Sequence, residues 1–278
     1  MSLLGKKLKE SLDYLQRRIP QSPHLGVILG SGLGNFADLI ENSLIIATGE
    51  KIPHCPRTTV PGHDGLWIFG KIANKPLLIL KGRLHFYEGH SMSEVVYPIY
   101  LMHKLKIRNL IITNAAGGIN PLFHPGDLML VVDHINFFMN NPLIGINNNQ
   151  GKNRFPDMSH PYYPPFLEIA ENTAIDLKIP LQSGVLIGTP GPNYETAAEV
   201  EMFRRLGADA VTMSTVPEVI TANQLGVKVL GLSCITNMAT GISEQKLNHA
   251  ETINVAKQAQ NKFQQLMKAI IERLPDHQ

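Results

Sequence analysis

Short apolar runs bounded by Gly, Pro and Asn alternate along this 278-residue chain with longer segments whose apolar residues recur at helical spacing. Apolar runs of this kind, rich in Val, Ile and Leu, predict strands that are buried on both faces. The predicted strands are 26–30, 77–81, 109–114, 128–133, 184–188, 209–213 and 228–236. The predicted helices are 92–106, 197–207, 216–226 and the stretch after Leu247. Repeated alternation of strand and helix favours an α/β fold with a mainly parallel or mixed β-sheet.

The composition of the chain also predicts its domain organisation. No break in composition marks a linker, so we expect a single domain over 1–278. Residues 1–20 place Leu and Ile at helical spacing with charges on the other face, which predicts an N-terminal surface helix. Residues 140–165 are rich in Asn, Gly and Pro and predict an irregular loop. A loop of this length is usually functional or mobile, so we expect it near the functional site.

Composition and charge argue against several classes of partner. The formal net charge is only +2 and the charged residues are interspersed, so no basic stripe is present to neutralise a nucleic-acid backbone. No apolar run reaches the ~18 residues that cross a bilayer. Cys55 and Cys234 are far apart in sequence and lack metal-ligand spacing, which argues against a disulfide framework or a zinc cluster. We therefore expect no nucleic-acid partner, no membrane association and a reducing, cytoplasmic location.

Several familiar motifs are absent or incomplete. The histidines form no H-x-x-x-H or H-E-x-x-H motif, so no metal site is expected. The stretch GSGLG (30–34) has Asn35 where a dinucleotide-binding fingerprint needs its third glycine, and no Gly-Lys-Ser/Thr follows as in a P-loop. It is also no G-x-S-x-G nucleophile elbow. Two interpretations remain open: a turn whose N–H groups and Ser31 hydroxyl hold one phosphate, or an ordinary tight turn.

Residues that follow the predicted strands are the candidates for ligand binding, because ligands of open α/β sheets bind beyond the carboxyl ends of strands. These candidates, nearly all polar or small, are Ser31, Arg83, His85, Asn114 to Gly118, Glu195, Ser214 and Asn237. Arg83, His85 and Tyr87 alternate, so in an extended segment they project to one side and combine an anion clamp, a titratable donor and a phenol. A solvated edge strand is the alternative.

The other candidates have structural alternatives as well. Glu195 stands before a predicted helix, where an acidic residue commonly acts as a capping or dipole partner. Ser214 can cap the next helix or donate to an anion there. Asn237 is an ordinary residue for a turn, and His249 can simply be exposed.

Taken together, the motifs GSGLG, RTTVPGH, GRLHFYEGH, TNAAGGIN, GDLMLVVDHIN, RFPDMS, GPNYET, GADAVTMSTVPEVI and ITN followed by NHAE resemble the trimeric, 6-oxopurine-specific purine nucleoside phosphorylases, in order and from about Gly26 to the C-terminal helix. The resemblance implies a single α/β domain with a central mixed sheet flanked by helices, and a homotrimer. It implies reversible phosphorolysis of purine (deoxy)ribonucleosides, chiefly inosine and guanosine, to the base and (deoxy)ribose 1-phosphate in purine salvage. No cofactor is expected, since inorganic phosphate is a co-substrate.

The resemblance also implies roles for individual residues. The phosphate site corresponds to Ser31, His63, Arg83, His85, the backbone N–H of Ala115, and Ser214. Tyr87 and Met213 correspond to sugar contacts, His249 to a contact with the 5′-hydroxyl, and Phe155 to an aromatic residue that covers the ribose of a neighbouring subunit. The base pocket corresponds to Glu195 and Asn237, with Tyr194 and Val211 as walls. Asn237, Glu195, His85 and His249 are expected to be the catalytic residues.

These roles agree with the chemistry of glycosidic cleavage, in which the departing purine must be neutralised at N7. The amide of Asn237 can accept the N7–H and donate to O6. An ionised Glu195 can accept the N1–H that hypoxanthine and guanine carry and adenine lacks, so we expect inosine and guanosine to be preferred over adenosine.

Two residues depart from relatives: Tyr194 stands where mammalian members have phenylalanine, and Thr212 replaces a glycine found in some members. Either can shift the preference between bases. The alternative functions are a 5′-methylthioadenosine phosphorylase, which typically has aspartate at the position of Asn237, and a hydrolytic nucleosidase, for which an anion clamp is unnecessary. A nicotinamide-dependent oxidoreductase or a non-catalytic nucleoside-binding protein is a more distant possibility.

Overall fold

The computed structural model describes residues 3–47, 51–60, 65–145, 154–242 and 249–275. Within these ranges nine strands form one sheet: β1 (Leu25–Leu29), β2 (Glu41–Ala47), β3 (Leu66–Ile72), β4 (Lys75–Lys81), β5 (Asn109–Gly118), β6 (Leu128–Asn136), β7 (Leu181–Gly188), β8 (Ala210–Thr212) and β9 (Lys228–Met238). The α-helices are α1 (Leu3–Gln16), α2 (Met92–Val95), α3 (Tyr97–Lys104), α4 (Pro164–Leu177), α5 (Ala197–Arg205), α6 (Val216–Gln224), α7 (His249–Gln258) and α8 (Gln260–Arg273). The predicted α/β class is confirmed.

The sheet is mixed and partly closed. Its strand order is β2-β3-β4-β1-β5-β8-β7-β6-β9, and β9 also pairs with β5, so the last five strands form a ring. β5 is the junction: its first half pairs in parallel with β1, and its end, Gly117 and Gly118, pairs antiparallel with β8. β1, β4, β5 and β9 run parallel to one another, so their carboxyl ends meet at one edge.

Both faces of the sheet are covered, as the continuous apolar runs predict. On β1, Ile28 packs in a core shared with α1, α3 and α6, whereas Val27 and Leu29 pack in a second core with Phe166 of α4 and Phe263 of α8. All five β1 residues are buried. The helices on the two faces therefore hold the strand ends in fixed positions, which is a requirement for a preorganised site.

The seven predicted strands are present, but β2, β3 and α4 were not predicted. The helix predicted over 92–106 is divided into α2 and α3 at Val96, because Pro98 cannot donate the backbone hydrogen bond that would continue the helix. The predicted irregular loop 140–165 ends earlier than expected, since α4 begins at Pro164. Part of that loop, 146–153, lies outside the described residues.

Candidate active site

A single pocket lies where the strand ends meet. It is lined by residues that follow β1, β4, β7 and β8 and by the last residues of β5 and β9. Most of the predicted site residues line it: Ser31, Arg83, His85, Tyr87, Ala115, Tyr194, Glu195, Val211, Met213, Ser214 and Asn237. Side chains more than two hundred positions apart in sequence are thus brought together by the register of the parallel strands.

Three predicted residues are not placed in this pocket. His63 lies outside the described residues. His249 begins α7, but its side chain is also outside what the structure describes. Phe155 is described and does not line the pocket of its own chain; it is 86% exposed. An aromatic side chain this exposed is suited to contact a second molecule.

Arg83 is the charged centre of one side of the pocket and is 2% exposed. Its Nη1 donates to Ser214 Oγ and Thr215 Oγ1, both at 2.9 Å, and to Glu218 Oε2 at 3.1 Å, while Nη2 donates to the Thr113 carbonyl. Burial lowers the pKa of Arg83 and the Glu218 carboxylate opposes that effect. The guanidinium is therefore held in place by an internal buried ion pair, beside the Ser214 hydroxyl that lines the pocket.

Thr215 supports this arrangement with an unusual backbone. Its φ is 69°, which is strained for a β-branched residue. The conformation is held by hydrogen bonds from Arg83 and from Asn114 Nδ2 to its hydroxyl, and by its N–H, which donates to Glu218. Thr215 is also the N-cap of α6. The helix cap considered for Ser214 is therefore provided by Thr215 and not by Ser214. Strain that is held so firmly is typical of functional sites.

His85 is fixed by Glu88. Glu88 Oε1 accepts from the His85 backbone N–H at 2.7 Å and lies 3.1 Å from His85 Nδ1. Glu88 Oε2 accepts from the Thr59 N–H and hydroxyl, which ties 51–60 to the pocket. Burial raises the pKa of Glu88, but the hydrogen bonds from His85 and Thr59 outweigh it and bring that pKa to about 2. Burial lowers the pKa of His85, and the hydrogen bond to Glu88 opposes this.

The conformation assumed for Tyr87 was wrong. Residues Phe86–Glu88 form a 3₁₀-helix and not an extended segment, so alternation does not place Tyr87 beside His85. The two side chains nevertheless meet, because the rings stack with centroids 4.7 Å apart and planes inclined by 17°. The tight helical turn thus brings the imidazole and the phenol side by side in the pocket.

Asn237 reaches the pocket through a β-bulge. The register of β5 and β9 shifts between Ala116, which pairs with Ile235, and Gly117, which pairs with Asn237. The extra residue on β9 turns Asn237 relative to the regular ladder, a common use of bulges beside active sites. Gly117 leaves the necessary room, because a Cβ there would lie 3.2 Å from Asn237 Nδ2. The Asn237 Oδ1 accepts a hydrogen bond from the Thr236 hydroxyl at 3.1 Å.

Glu195 is buried in the same pocket, with 9% of its surface exposed. It does not cap α5, because Thr196 is the N-cap and forms a reciprocal capping box with Glu199. The carboxylate instead accepts a hydrogen bond from the Thr189 hydroxyl at 3.1 Å. Burial raises the pKa of Glu195, and hydrogen bonds from its own N–H and from Thr189 oppose the rise. The capping alternative for Glu195 is therefore wrong.

Comparison with known proteins agrees with this geometry. A model of the phosphorylase superfamily matches residues 24–272. The chain is 47% identical over 265 residues to purine nucleoside phosphorylase 1 of Bacillus subtilis (strain 168), with 95% of this chain and 97% of the relative covered. It is 39% identical over 274 residues to the purine nucleoside phosphorylase of Bos taurus, with 96% and 94% covered. The crystal structure of the Schistosoma mansoni purine nucleoside phosphorylase in complex with inosine matches with a TM-score of 0.91 at 34% identity, with 97% of each chain covered.

The chain belongs to the purine nucleoside phosphorylases. Tyr194 and Thr212, the two residues that differ from relatives of this family, both line the pocket. Tyr194 is 38% exposed and forms part of the pocket wall. The Thr212 hydroxyl donates to the Ala115 carbonyl at 3.2 Å and lies 3.3 Å from Ser214 Oγ. Thr212 is thus linked to the Arg83 side of the phosphorylase pocket, whereas Tyr194 adjoins Glu195.

Sequence reasoning missed residues that line or support the phosphorylase pocket. Gly30, Asn114, Ala116 and Gly117 line the pocket and were named only as parts of candidate segments, whereas Thr236, Ala239 and Thr252 were given no role. The small residues of TNAAGG were a weak signal for close approach, but nothing local pointed to Thr252, which comes from α7. The supporting groups Glu88, Thr189 and Glu218 were also missed, although only Glu218 is far in sequence from the residue that it holds.

The described residues contain neither a candidate metal cluster nor a candidate membrane-spanning helix. No group of three or more His, Cys, Asp or Glu is placed to hold a metal ion in the part of the chain that the structure describes. Among the helices in those ranges, none combines the length and the apolar character needed to cross a membrane.

Proposed function

We propose that this chain catalyses the reversible phosphorolysis of purine (deoxy)ribonucleosides, chiefly inosine and guanosine, to the free base and (deoxy)ribose 1-phosphate. One observation carries the proposal: a single pocket is lined both by an anion-binding group, Ser31, Arg83, His85 and Ser214, and by the carboxylate and amide of Glu195 and Asn237. The first group suits phosphate and the second suits a 6-oxopurine. The reaction joins a phosphate oxygen to the carbon that the purine leaves.

The phosphate half of the mechanism depends on charge held in a fixed geometry. Arg83 supplies a permanent positive charge, and the Ser31 and Ser214 hydroxyls and the Ala115 N–H are the proposed neutral donors. His85 is held by Glu88 at the same side, and His63 is the remaining proposed ligand. Donors that are already in place orient a phosphate oxygen toward C1′ of the ribose with little reorganisation.

The base half depends on matching hydrogen-bond donors and acceptors. As the glycosidic bond breaks, the sugar becomes oxocarbenium-like and the purine carries the electrons of the bond. The Asn237 amide accepts from N7–H and donates to O6, so its interaction strengthens as the base leaves. The ionised Glu195 accepts from N1–H, and adenine offers a lone pair there instead. Tyr87, Met213, Tyr194 and Val211 enclose the nucleoside, and His249 is proposed to contact the 5′-hydroxyl.

The alternatives fit less well. A hydrolytic nucleosidase has no use for the buried Arg83 and the hydroxyl groups around it, because its nucleophile is water. A 5′-methylthioadenosine phosphorylase is disfavoured by Asn237 and by the buried carboxylate of Glu195. The purine nucleoside phosphorylases matched above cover nearly the whole chain, which favours phosphorolysis of purine nucleosides over both.

We further propose a homotrimer with shared active sites, located in the cytoplasm and serving purine salvage. The local support is Phe155 and Ile144, which lie within the predicted loop 140–165 and are 86% and 75% exposed, and Met139 just before it, which is 85% exposed. Apolar side chains grouped along one segment in this way suit an interface between subunits. The reaction needs no cofactor besides the co-substrate phosphate.

The decisive experiment incubates the purified protein with inosine, with and without phosphate, and measures hypoxanthine and ribose 1-phosphate. Phosphate-dependent release of both products from inosine, with little release from adenosine, is the expected result. Release of hypoxanthine without phosphate would assign the protein to the hydrolases and contradict the proposal. Equal rates with adenosine would contradict the roles given to Glu195 and Asn237.

A further inference from the structure

Glu195 has a hydrogen-bond partner that no comparison or motif assigns. The Thr189 Oγ1 lies 3.1 Å from Glu195 Oε1, and since the hydroxyl carries the hydrogen it donates to the carboxylate. Thr189 is 5% exposed, so this bond is shielded from water. A hydrogen bond to an ionised group in such a place is stronger than one between neutral groups.

Thr189 is itself held firmly. It directly follows β7, and its backbone N–H donates to the Thr212 carbonyl at 2.9 Å, which continues the pairing of β7 with β8. The chain then runs through 190–194 and returns at Glu195, just before the N-cap of α5. The carboxylate at the end of this loop is thus tied back to a rigid strand. Without the Thr189 hydroxyl, the loop would lose this attachment of the carboxylate to the sheet.

We propose that Thr189 is a specificity-determining positioning residue, whose hydroxyl keeps the Glu195 carboxylate ionised and oriented toward the N1–H of a 6-oxopurine. The inference rests on the proposed function, since it assumes that Glu195 recognises the base. An ionised carboxylate accepts from N1–H of hypoxanthine or guanine. A protonated carboxyl group donates, and can therefore satisfy the N1 lone pair of adenine. The hydroxyl thus favours 6-oxopurines over adenine.

The electrostatic surroundings make this role necessary. Burial raises the pKa of Glu195 and the nearby Glu199 on α5 raises it further, while the bonds from its own N–H and from Thr189 lower it. Among the residues that the structure describes, the other charged or titratable side chains that line the pocket are Arg83, His85, Tyr87 and Tyr194. They stay the same in every variant of Thr189, so a difference between variants reports on the hydroxyl alone.

The test compares Thr189→Val, which keeps the shape and removes the hydroxyl, with Thr189→Ser, which keeps the hydroxyl. Calorimetry measures hypoxanthine binding to each, in the presence of phosphate, from about pH 5 to pH 8. We expect Thr189→Val to lose about tenfold in affinity near neutral pH. Because the carboxylate is the binding form, affinity falls as pH drops through the Glu195 pKa, and in Thr189→Val this fall begins at a higher pH. Thr189→Ser should behave nearly as the wild type.

Turnover gives a second readout: the ratio of kcat/KM for adenosine to that for inosine should rise in Thr189→Val and not in Thr189→Ser. Equal binding by Thr189→Val and the wild type over the whole pH range would overturn the inference, as would a Thr189→Ser variant as weak as Thr189→Val. Thr189→Ala serves in the same comparison if the valine variant does not fold. A wild type that binds hypoxanthine but splits no inosine would refute the proposed function alone, and one that binds no hypoxanthine would refute both.

Discussion

The site residues in this protein are held by partner side chains, some near in sequence and one far from the residue that it holds. Arg83 depends on Glu218, His85 on Glu88, and Glu195 on Thr189. Glu88 holds His85 through a capping box three positions along the chain, whereas Glu218 is 135 positions from Arg83. The candidate site is therefore best tested by changing both the residues that line it and those that support them.

Asn237→Ala should lower kcat by orders of magnitude, because it removes an interaction that strengthens as the base departs. Steady-state kinetics with inosine measures the effect. Asn172→Ala is the matched control, since Asn172 is exposed on α4, and it should leave kcat unchanged. Unchanged turnover in Asn237→Ala would show that another group neutralises the leaving base. Asn237→Asp should gain relative activity on adenosine.

Glu218→Ala should lower the free energy of unfolding by about 3–5 kcal/mol, because it leaves the Arg83 charge buried without its counter-ion. It also removes the acceptor that helps hold Thr215 in its strained backbone conformation. Urea denaturation measures the change. The control is Glu201→Ala on α5, whose ion pairs with Arg204 and Arg205 are exposed and should contribute little. Similar losses in both variants would mean that burial of the Arg83 pair is unimportant.

At the scale of elements, the predictable parts were those with a clear pattern. β1, buried along its whole length, follows from its apolar run. β2 was missed because it is an edge strand whose first three residues are exposed and Asn42 has a φ of 53°. α4 was missed because its two opening prolines suit a loop as well as a first helical turn. The pattern of apolar residues alone cannot distinguish an exposed edge strand such as β2, or a helix that begins with two prolines such as α4, from a loop.

The 3₁₀-helix Phe86–Glu88 is tied to 51–60 by the Glu88 carboxylate, which makes that connection dependent on pH. The lowered pKa of Glu88, about 2 in the folded protein against an ordinary value of 4.5, means that its ionised form stabilises the fold. This contribution is complete above about pH 4.5 and is lost as the pH falls toward 2. Glu88→Gln should therefore reduce the free energy of unfolding by about 2 kcal/mol near neutral pH.

Denaturation of the wild type and Glu88→Gln at several pH values measures this linkage. The difference between them should shrink as the solution is acidified, since protonated Glu88 and glutamine are both neutral. A difference that stays constant down to the lowest pH would show that the Glu88 charge does not stabilise the connection.

For the whole molecule, the proposed shared site predicts that each pocket depends on a neighbouring chain. Phe155→Ala should weaken nucleoside binding more than phosphate binding, because the aromatic ring is proposed to cover the ribose of a neighbour. Mixing Phe155→Ala chains with Asn237→Ala chains tests this directly. In a mixed assembly, a Phe155→Ala chain keeps its own Asn237, and an Asn237→Ala neighbour supplies an intact Phe155 to its pocket. That pocket is complete, so the activity of the mixture should exceed the sum of the activities of the two separate proteins. No recovery after subunits have exchanged would contradict the shared site.

The sequence by itself determined the α/β class, the seven strands with continuous apolar runs and the residues placed after them, because these depend on periodicity and on close neighbours in the chain. It also carried the motifs that resemble the purine nucleoside phosphorylases. Only the tertiary structure decided that Glu218 holds Arg83, how the bulge on β9 turns Asn237, and how the ring of strands closes. Those features depend on strand register and burial between distant segments, and no local pattern encodes them.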